Sequence, residues 1–475
     1  MQTPVGEGLN VSTARRFAER FRSASSYTLR LFGTLIFMEH IDTLIAARWV
    51  IPIEPERRVF DHCAVAVHHG RIVALLPAEE ALRRYSAAEI IERPAHVLLP
   101  GFVNAHTHAA MALLRGAAES SSLEHWLRHE IWPLERRWID AEYVRDGTCL
   151  AIADMLTSGT TCFGDMHLFP EVAAQTASEA RIRACIGLPV TEAATVWAGS
   201  AGEYLDKGLA LHDEYRDDPL ITTALAPYAP WALSDEVLMR IRRNADELDI
   251  PMTMHVNETR DEIEVGGERA IARLERLGML SPLLAAAHMV HLEHDEIERV
   301  ARGGVSVVHC PQSNLKLGAG VCDVGSLAAH GVNIALGTDG AASNNDLSML
   351  DEMRTAALLA RGAYPQRAPL TAHAWLQAAT LNGARALGLS EIIGSLTGGK
   401  WADLCCIDLR RPHTQPVYDA AAQIVFAASR DQVSDVWVAG RALVRDAELT
   451  HLDLDDVLRR AADWQERISG SLKAS

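Results

Sequence analysis

Apolar positions along this chain fall into two textures. In the first, from about residue 43 to 99, short β-rich runs are separated by turn residues. The runs are 44–53, 63–67, 71–75 and 96–99, and His69-Gly70 reads as a hairpin tip. The texture returns near the end, where Gly398-Gly399 precedes 403–408, and 433–438 and 443–444 flank Gly440. In the second texture, between about 100 and 393, short apolar runs are each followed by an amphipathic helical stretch. Examples are 160–163, 184–189, 221–226, 251–255, 284–288, 305–309 and 333–337. Repeated strand–helix units over that length predict an α/β fold, a (β/α)8 TIM barrel. The two β-rich ends predict one small β-sandwich built from both termini. The expected division is a barrel over 100–393, a composite sandwich over 43–99 and 394–475, and an N-terminal extension over 1–42. Residues 454–468 keep a helical period with many charges, which predicts a surface helix.

Several barrel runs end on a polar residue where the strand should stop. In a TIM barrel the C-terminal strand ends form the active-site face, so these residues should converge. His106-Thr107-His108 follows the apolar run 97–103; side chains at i and i+2 of a strand share a side, so both imidazoles aim at one point. His255, His288 and Asp339 each close a later run. Any one of them reads equally well as a hydrogen-bonded core histidine or a helix-capping aspartate. As a set, imidazole nitrogens with a carboxylate suit Zn²⁺ or Fe²⁺ better than Mg²⁺, and a catalytic zinc keeps a position for water.

With those residues in view, the chain resembles the amidohydrolase superfamily over about residues 43–450. The motifs are Pro100-Gly-Phe-Val-Asn-Ala-His-Thr-His108, Met254-His-Val-Asn-Glu258, Ala287-His288 and Gly337-Thr-Asp339. The resemblance implies ligands His106, His108, His255 and Asp339 for one zinc per subunit, with iron as the alternative. His288 is then placed beside the reacting water. Binuclear members bridge two metals with a carboxylated lysine, and no lysine stands at a corresponding strand end. Glu258 lies three residues past His255. A strand continued that far would face it away, so the chain should turn after His255 and return the carboxylate to the pocket.

Farther along, Met111, Arg115-Gly116, Leu123-Glu-His-Trp126-Leu and Ile131-Trp-Pro-Leu-Glu135 look like the 5'-methylthioadenosine/S-adenosylhomocysteine deaminase branch. That resemblance implies Trp126 as an aromatic wall, Glu135 on the ribose diol and Arg183 reaching the 5' substituent. Met111 offers a soft surface to a thioether. The branch commonly has histidine where this chain has Tyr228 in Ala226-Pro-Tyr228-Ala-Pro230, which alters how purine or ribose is held. The implied reaction is hydrolytic deamination at C6 of adenine, with Glu258, His288 and Asp339 catalytic. Guanine, pterin and triazine chemistry are the enzyme alternatives; a non-catalytic scaffold of the same fold is the remote one. Met111 stands where guanine deaminases and triazine chlorohydrolases place glutamine.

Composition narrows the partners. The 475 residues are 48% hydrophobic and 23% charged, ordinary values for a folded chain with a large core. The net charge of −17 argues against nucleic acid and anionic membranes and leaves a small-molecule substrate. No apolar run approaches the ~18 residues of a membrane helix. The eight cysteines include no C-x-x-C, so they read as free thiols in a reducing cytoplasm. A homo-oligomer is expected from similar enzymes. A basic stretch from Arg15 to Arg30 before an apolar 31–38 imitates a signal peptide without a clear cleavage site, and an alternative start at Met38 is a second reading.

Overall fold

The computed structural model describes residues 30–31, 34–35, 38–118, 123–265 and 267–472. Most of the signal-like stretch and of the expected N-terminal extension lies outside them. Eight parallel strands form the barrel in chain order: Phe102–Thr107, Thr160–Asp165, Arg183–Val190, Ile221–Pro227, Met252–Val256, Leu284–His288, Ser306–His309 and Asn333–Leu336. We call them barrel strands one to eight. Strands one to seven each pair with the next, and the Asp339 amide closes the ring by donating to the His106 carbonyl at 3.0 Å. Their side chains are almost all buried, as expected where helices cover the outside and side chains fill the inside. Small residues such as Ala285-Ala286-Ala287 let neighbouring layers interlock there.

The terminal β-rich segments form one mixed eight-stranded sheet. Glu39–Val50 is hydrogen-bonded to Phe60–His68 on one side and to Tyr85–Pro100 on the other; Tyr85–Pro100 in turn pairs with Leu404–Asp408 from the far end of the chain. Val433–Val438, Arg441–Arg445 and Glu448–Leu449 complete it. Ile45, Val65 and Val67 from the first part share an apolar core with Leu404, Cys406 and Trp437 from the second. His69 (φ 50°) and Gly70 (φ 73°) form the hairpin tip, both in the left-handed region that a two-residue primed turn requires.

The C-terminal helix Leu454–Leu472 packs on the barrel helix Ala141–Thr157. Its Trp464 indole donates to Asp146 at 3.0 Å, and Arg460 pairs with the same carboxylate at 2.7 Å. No helix among the described residues is long and apolar enough to cross a membrane.

Candidate active site

The strand ends bring His106, His108, His255, His288 and Asp339 together at the C-terminal face. Ring centroids of His106 lie 5.0 Å from His108, 4.9 Å from His255 and 5.7 Å from His288. Asp339 Oδ1 lies 3.3 Å from His108 Nε2 and 3.8 Å from His106 Nε2. Close packing behind the site holds this geometry: a Cβ on Gly337 would come within 2.8–2.9 Å of His106. His288 (φ 73°) and Asp339 (φ 63°) both hold left-handed backbone, which is uncommon for residues other than glycine and least so for Asn, Asp and His.

Three of the four imidazoles are oriented by what the other nitrogen does. His255 Nδ1 donates to the Tyr228 carbonyl at 2.7 Å, His288 Nδ1 donates to Asn314 Oδ1 at 2.8 Å, and His108 Nδ1 donates to the Met166 carbonyl. The Nε2 lone pairs of His108 and His255 therefore face inward, and Nε2 of His288 faces the same space toward Glu258. His108 and His255 then oppose Nε2 to Nε2 at 3.3 Å, and the buried His106 Nε2 has no hydrogen-bond partner. Such a set is costly in an apolar interior and matches what a divalent cation needs. Ser313 Oγ donates to Asp339 Oδ2 at 2.6 Å and the Gly340 amide to Oδ1 at 2.7 Å, so the carboxylate is held from behind.

The electrostatics divide the acids. Burial alone would raise Asp339, but the His108, His288 and His106 imidazoles outweigh it and hold the carboxyl below its ordinary range. Burial pushes Glu258 up to about 7, with His288 opposing. Burial would lower His288, but Glu258 and Asp339 prevail and raise it. Burial and the neighbouring His108 press His255 down to about 3, so that imidazole stays neutral. One carboxylate is thus kept ionised and its neighbour poised near neutrality, the separation that acid–base chemistry at one site requires.

Glu258 returns to the site as its spacing suggested. Strand five runs one residue past His255, to Val256; Asn257 then turns the chain at φ 50°, and Glu258 Oε2 ends 3.7 Å from His288 Nε2. The Asn257 side-chain amide donates to the His291 carbonyl at 3.1 Å, anchoring the turn.

A cavity of about 560 Å³ opens beside this cluster. Met111, Trp126, Glu135 and Tyr228 line it together with His108, His255, Glu258, His288 and Asp339. Tyr228 keeps its hydroxyl proton, because burial, with Glu258 and Glu135 adding to it, raises its pKa.

Arg183 is not there, and its expected role is corrected. It is the first residue of barrel strand three, so it lies at the end opposite the active-site face. Its side chain is 1% exposed and donates to both oxygens of Asp403, at 2.7 and 3.2 Å, and to the Pro219 carbonyl at 2.7 Å. The guanidinium is consumed by a structural ion pair. The polarity of the strand itself carried the signal, since Arg183 precedes the apolar run.

The residues missed from sequence are Ser313, Asn314, Met166 and His167. Ser313 and Asn314 sit in the helix Pro311–Lys316 just after strand seven, and Met166 and His167 follow strand two. Both places are strand ends of the kind already singled out, but without histidine-rich spacing.

A family model described as the amidohydrolase family matches residues 97–443. A 5-methylthioadenosine/S-adenosylhomocysteine deaminase of Teredinibacter turnerae is 43% identical over 432 residues, covering 90% of this chain and 98% of its own length. The protein of the same name from Saccharophagus degradans is 42% identical, covering 90% and 97%. Among solved structures, an adenosine deaminase from Xanthomonas campestris with bound zinc is 46% identical with a TM-score of 0.90, covering 91% of this chain and all of that one. An atrazine chlorohydrolase from Arthrobacter aurescens, 22% identical with a TM-score of 0.82 over 89% of this chain and 99% of its own, shares the fold.

Proposed function

The chain belongs to the amidohydrolase family, and we propose that it is a zinc-dependent deaminase that hydrolyses the C6 amino group of an adenine nucleoside, giving a hypoxanthine nucleoside and ammonia. The observation that carries this reading is the buried Glu258, with Oε2 3.7 Å from His288 Nε2, lining together with Asp339 a cavity that also holds an aromatic wall and a second carboxylate, Glu135. His106, His108, His255 and Asp339 are the residues that would hold the metal, and the relative with bound zinc supports its identity. When bound, zinc lowers the pKa of a water toward ~7.

The protein's own groups account for the proton traffic. Asp339, kept ionised, accepts a proton from the attacking water. Glu258, holding a proton near neutral pH, gives it to N1 of the adenine, which makes C6 electrophilic, and then helps pass a proton to the departing ammonia. His288, its charge favoured by Glu258 and Asp339, stabilises the oxygen on which negative charge develops. Trp126 and Met111 supply apolar surface, Tyr228 a neutral hydrogen-bond donor, and Glu135 two acceptor oxygens for the ribose diol.

With Arg183 removed from the site, the cavity is lined by the apolar Leu168, Ala193, Val196 and Trp231 together with the polar Arg136, Thr191 and Thr195. Ammonia release from adenosine, methylthioadenosine, S-adenosylhomocysteine, guanine and a pterin tests the proposal. Adenine nucleosides should be the substrates; preference for guanine or the pterin defeats it. A reducing compartment is supported by eight buried, unpaired cysteines, and we place the enzyme in the cytoplasm as a homo-oligomer.

A further inference from the structure

His167 was not marked by any motif, yet it lines the cavity with its side chain 5% exposed. Its Nε2 lies 3.6 Å from Glu135 Oε1, and its Nδ1 faces the Leu168 carbonyl at 3.3 Å. Glu135 belongs to a different element, the helix Trp132–Trp138, and its ion pair is with His167, not with its helix neighbours Arg136 and Arg137. Residues one and two apart on a helix do not face each other, which explains why those arginines leave it alone.

The same short segment is tied to the metal cluster. Asp165 Oδ1 accepts the Ala109 amide at 2.7 Å, and the Met166 carbonyl accepts His108 Nδ1–H. The last residue of strand two and the two that follow it thus reach the turn after His108, a metal-facing imidazole and the carboxylate across the cavity. Burial would lower His167, but Glu135 and Asp165 outweigh it and favour the protonated ring.

We propose that His167 is a positioning residue, which holds one oxygen of Glu135 so that the carboxylate is presented to the ribose diol at a set distance from the metal cluster. The proposal rests on the nucleoside deaminase reading. An imidazole at this spot spans from the strand end to the helix. Without it, Glu135 is free to turn toward solvent, and the diol loses a pre-oriented acceptor.

The test compares adenosine with 2',3'-dideoxyadenosine on the zinc-loaded wild type and on His167→Ala and His167→Gln. For adenosine, KM should rise roughly tenfold in His167→Ala while kcat changes little, as expected when a charge-assisted contact made before the reaction is lost. For dideoxyadenosine, KM should not respond. Glutamine, which can still donate, should recover part of the loss. Calorimetric binding of the two nucleosides runs in parallel and reads the same ratio without turnover. Wild type that binds adenosine but releases no ammonia ends the deaminase reading and leaves the His167 ratio measured. An equal loss with both nucleosides, or no loss with either, overturns the positioning role. A fall in zinc content of His167→Ala with unchanged diol dependence overturns it too, in favour of a purely structural part.

Discussion

At the C-terminal end of the barrel, His106, His255, His288, Asp339 and Glu258 are buried and His108 is partly so, and the inward-facing His106 Nε2 is left without a partner. At the N-terminal end, Arg183 and Asp403 are buried as deeply, but their charges are spent on each other. Arg183 also donates to the Pro219 carbonyl, and Asp403 Oδ1 accepts the Ala439 amide at 2.7 Å. Both ends place charge in an apolar interior, where an unmatched group is expensive. The closed end fastens the barrel to the terminal sheet, because strand three meets the segment that leads into Leu404–Asp408. The open end leaves valences that, in the proposed reading, a metal and a substrate take up. Burial and charge type therefore do not separate the two ends; what does is that Arg183 and Asp403 answer each other, while His106 Nε2 in the cluster has no partner.

The sharpest break of this comparison is at the open end. Glu258→Gln removes a proton donor and keeps the shape, so turnover should fall by about 10²- to 10⁴-fold with zinc content and Tm close to wild type. Near-normal turnover would remove Glu258 from the chemistry. Arg183→Met should do the reverse. It strands Asp403 and should lower stability by about 3–5 kcal/mol, read by denaturant unfolding, while the ratio of KM for S-adenosylhomocysteine to KM for adenosine stays put. A change in that ratio with intact stability would return Arg183 to the substrate. A smaller effect is expected one layer out from the metal residues. Ser313→Ala deletes the hydroxyl behind Asp339 and should weaken zinc by roughly 10- to 100-fold in a competition with a chelator. Unaltered affinity would mean that the Gly340 amide alone holds the carboxylate.

Much of the open end was legible because its residues obey strand geometry. His106 and His108 share a side by the two-residue period, and His255, His288 and Asp339 close apolar runs, so a fold that gathers strand ends must gather them. The turn that returns Glu258 was expected from its spacing, although Asn257 is the residue that makes it. Arg183 was misread because a motif was allowed to override strand polarity. His167, Ser313 and Asn314 were invisible for another reason: they act on a carboxylate or an imidazole from a different element, and only the folded chain brings those partners together. The terminal sheet was foreseen as two β-rich ends. Its pairing of Tyr85–Pro100 with Leu404–Asp408 links residues about 300 apart, which no local pattern encodes.

The least of the expected effects concerns a second closed pair, in the terminal sheet. Asp435 accepts two hydrogen bonds from Arg93, at 2.6 and 2.5 Å, and one from Ser434 at 2.7 Å. Burial alone would raise its pKa, but Arg93 and Ser434 overcome that and lower it. A depressed carboxyl stabilises the fold at every pH above its ordinary value of ~3.9, and that contribution disappears as pH falls through the folded-state value. Asp435→Asn keeps the shape without the charge. It should cost on the order of 1–3 kcal/mol at neutral pH, and the gap to wild type should narrow on acidification below about pH 4. Unfolding free energies measured from pH 7 down to pH 3 read both quantities. A gap that stays constant across that range would show that the charge on Asp435 contributes nothing, and the contrast between closed pairs and the open cluster would then rest on Arg183 and Asp403 alone.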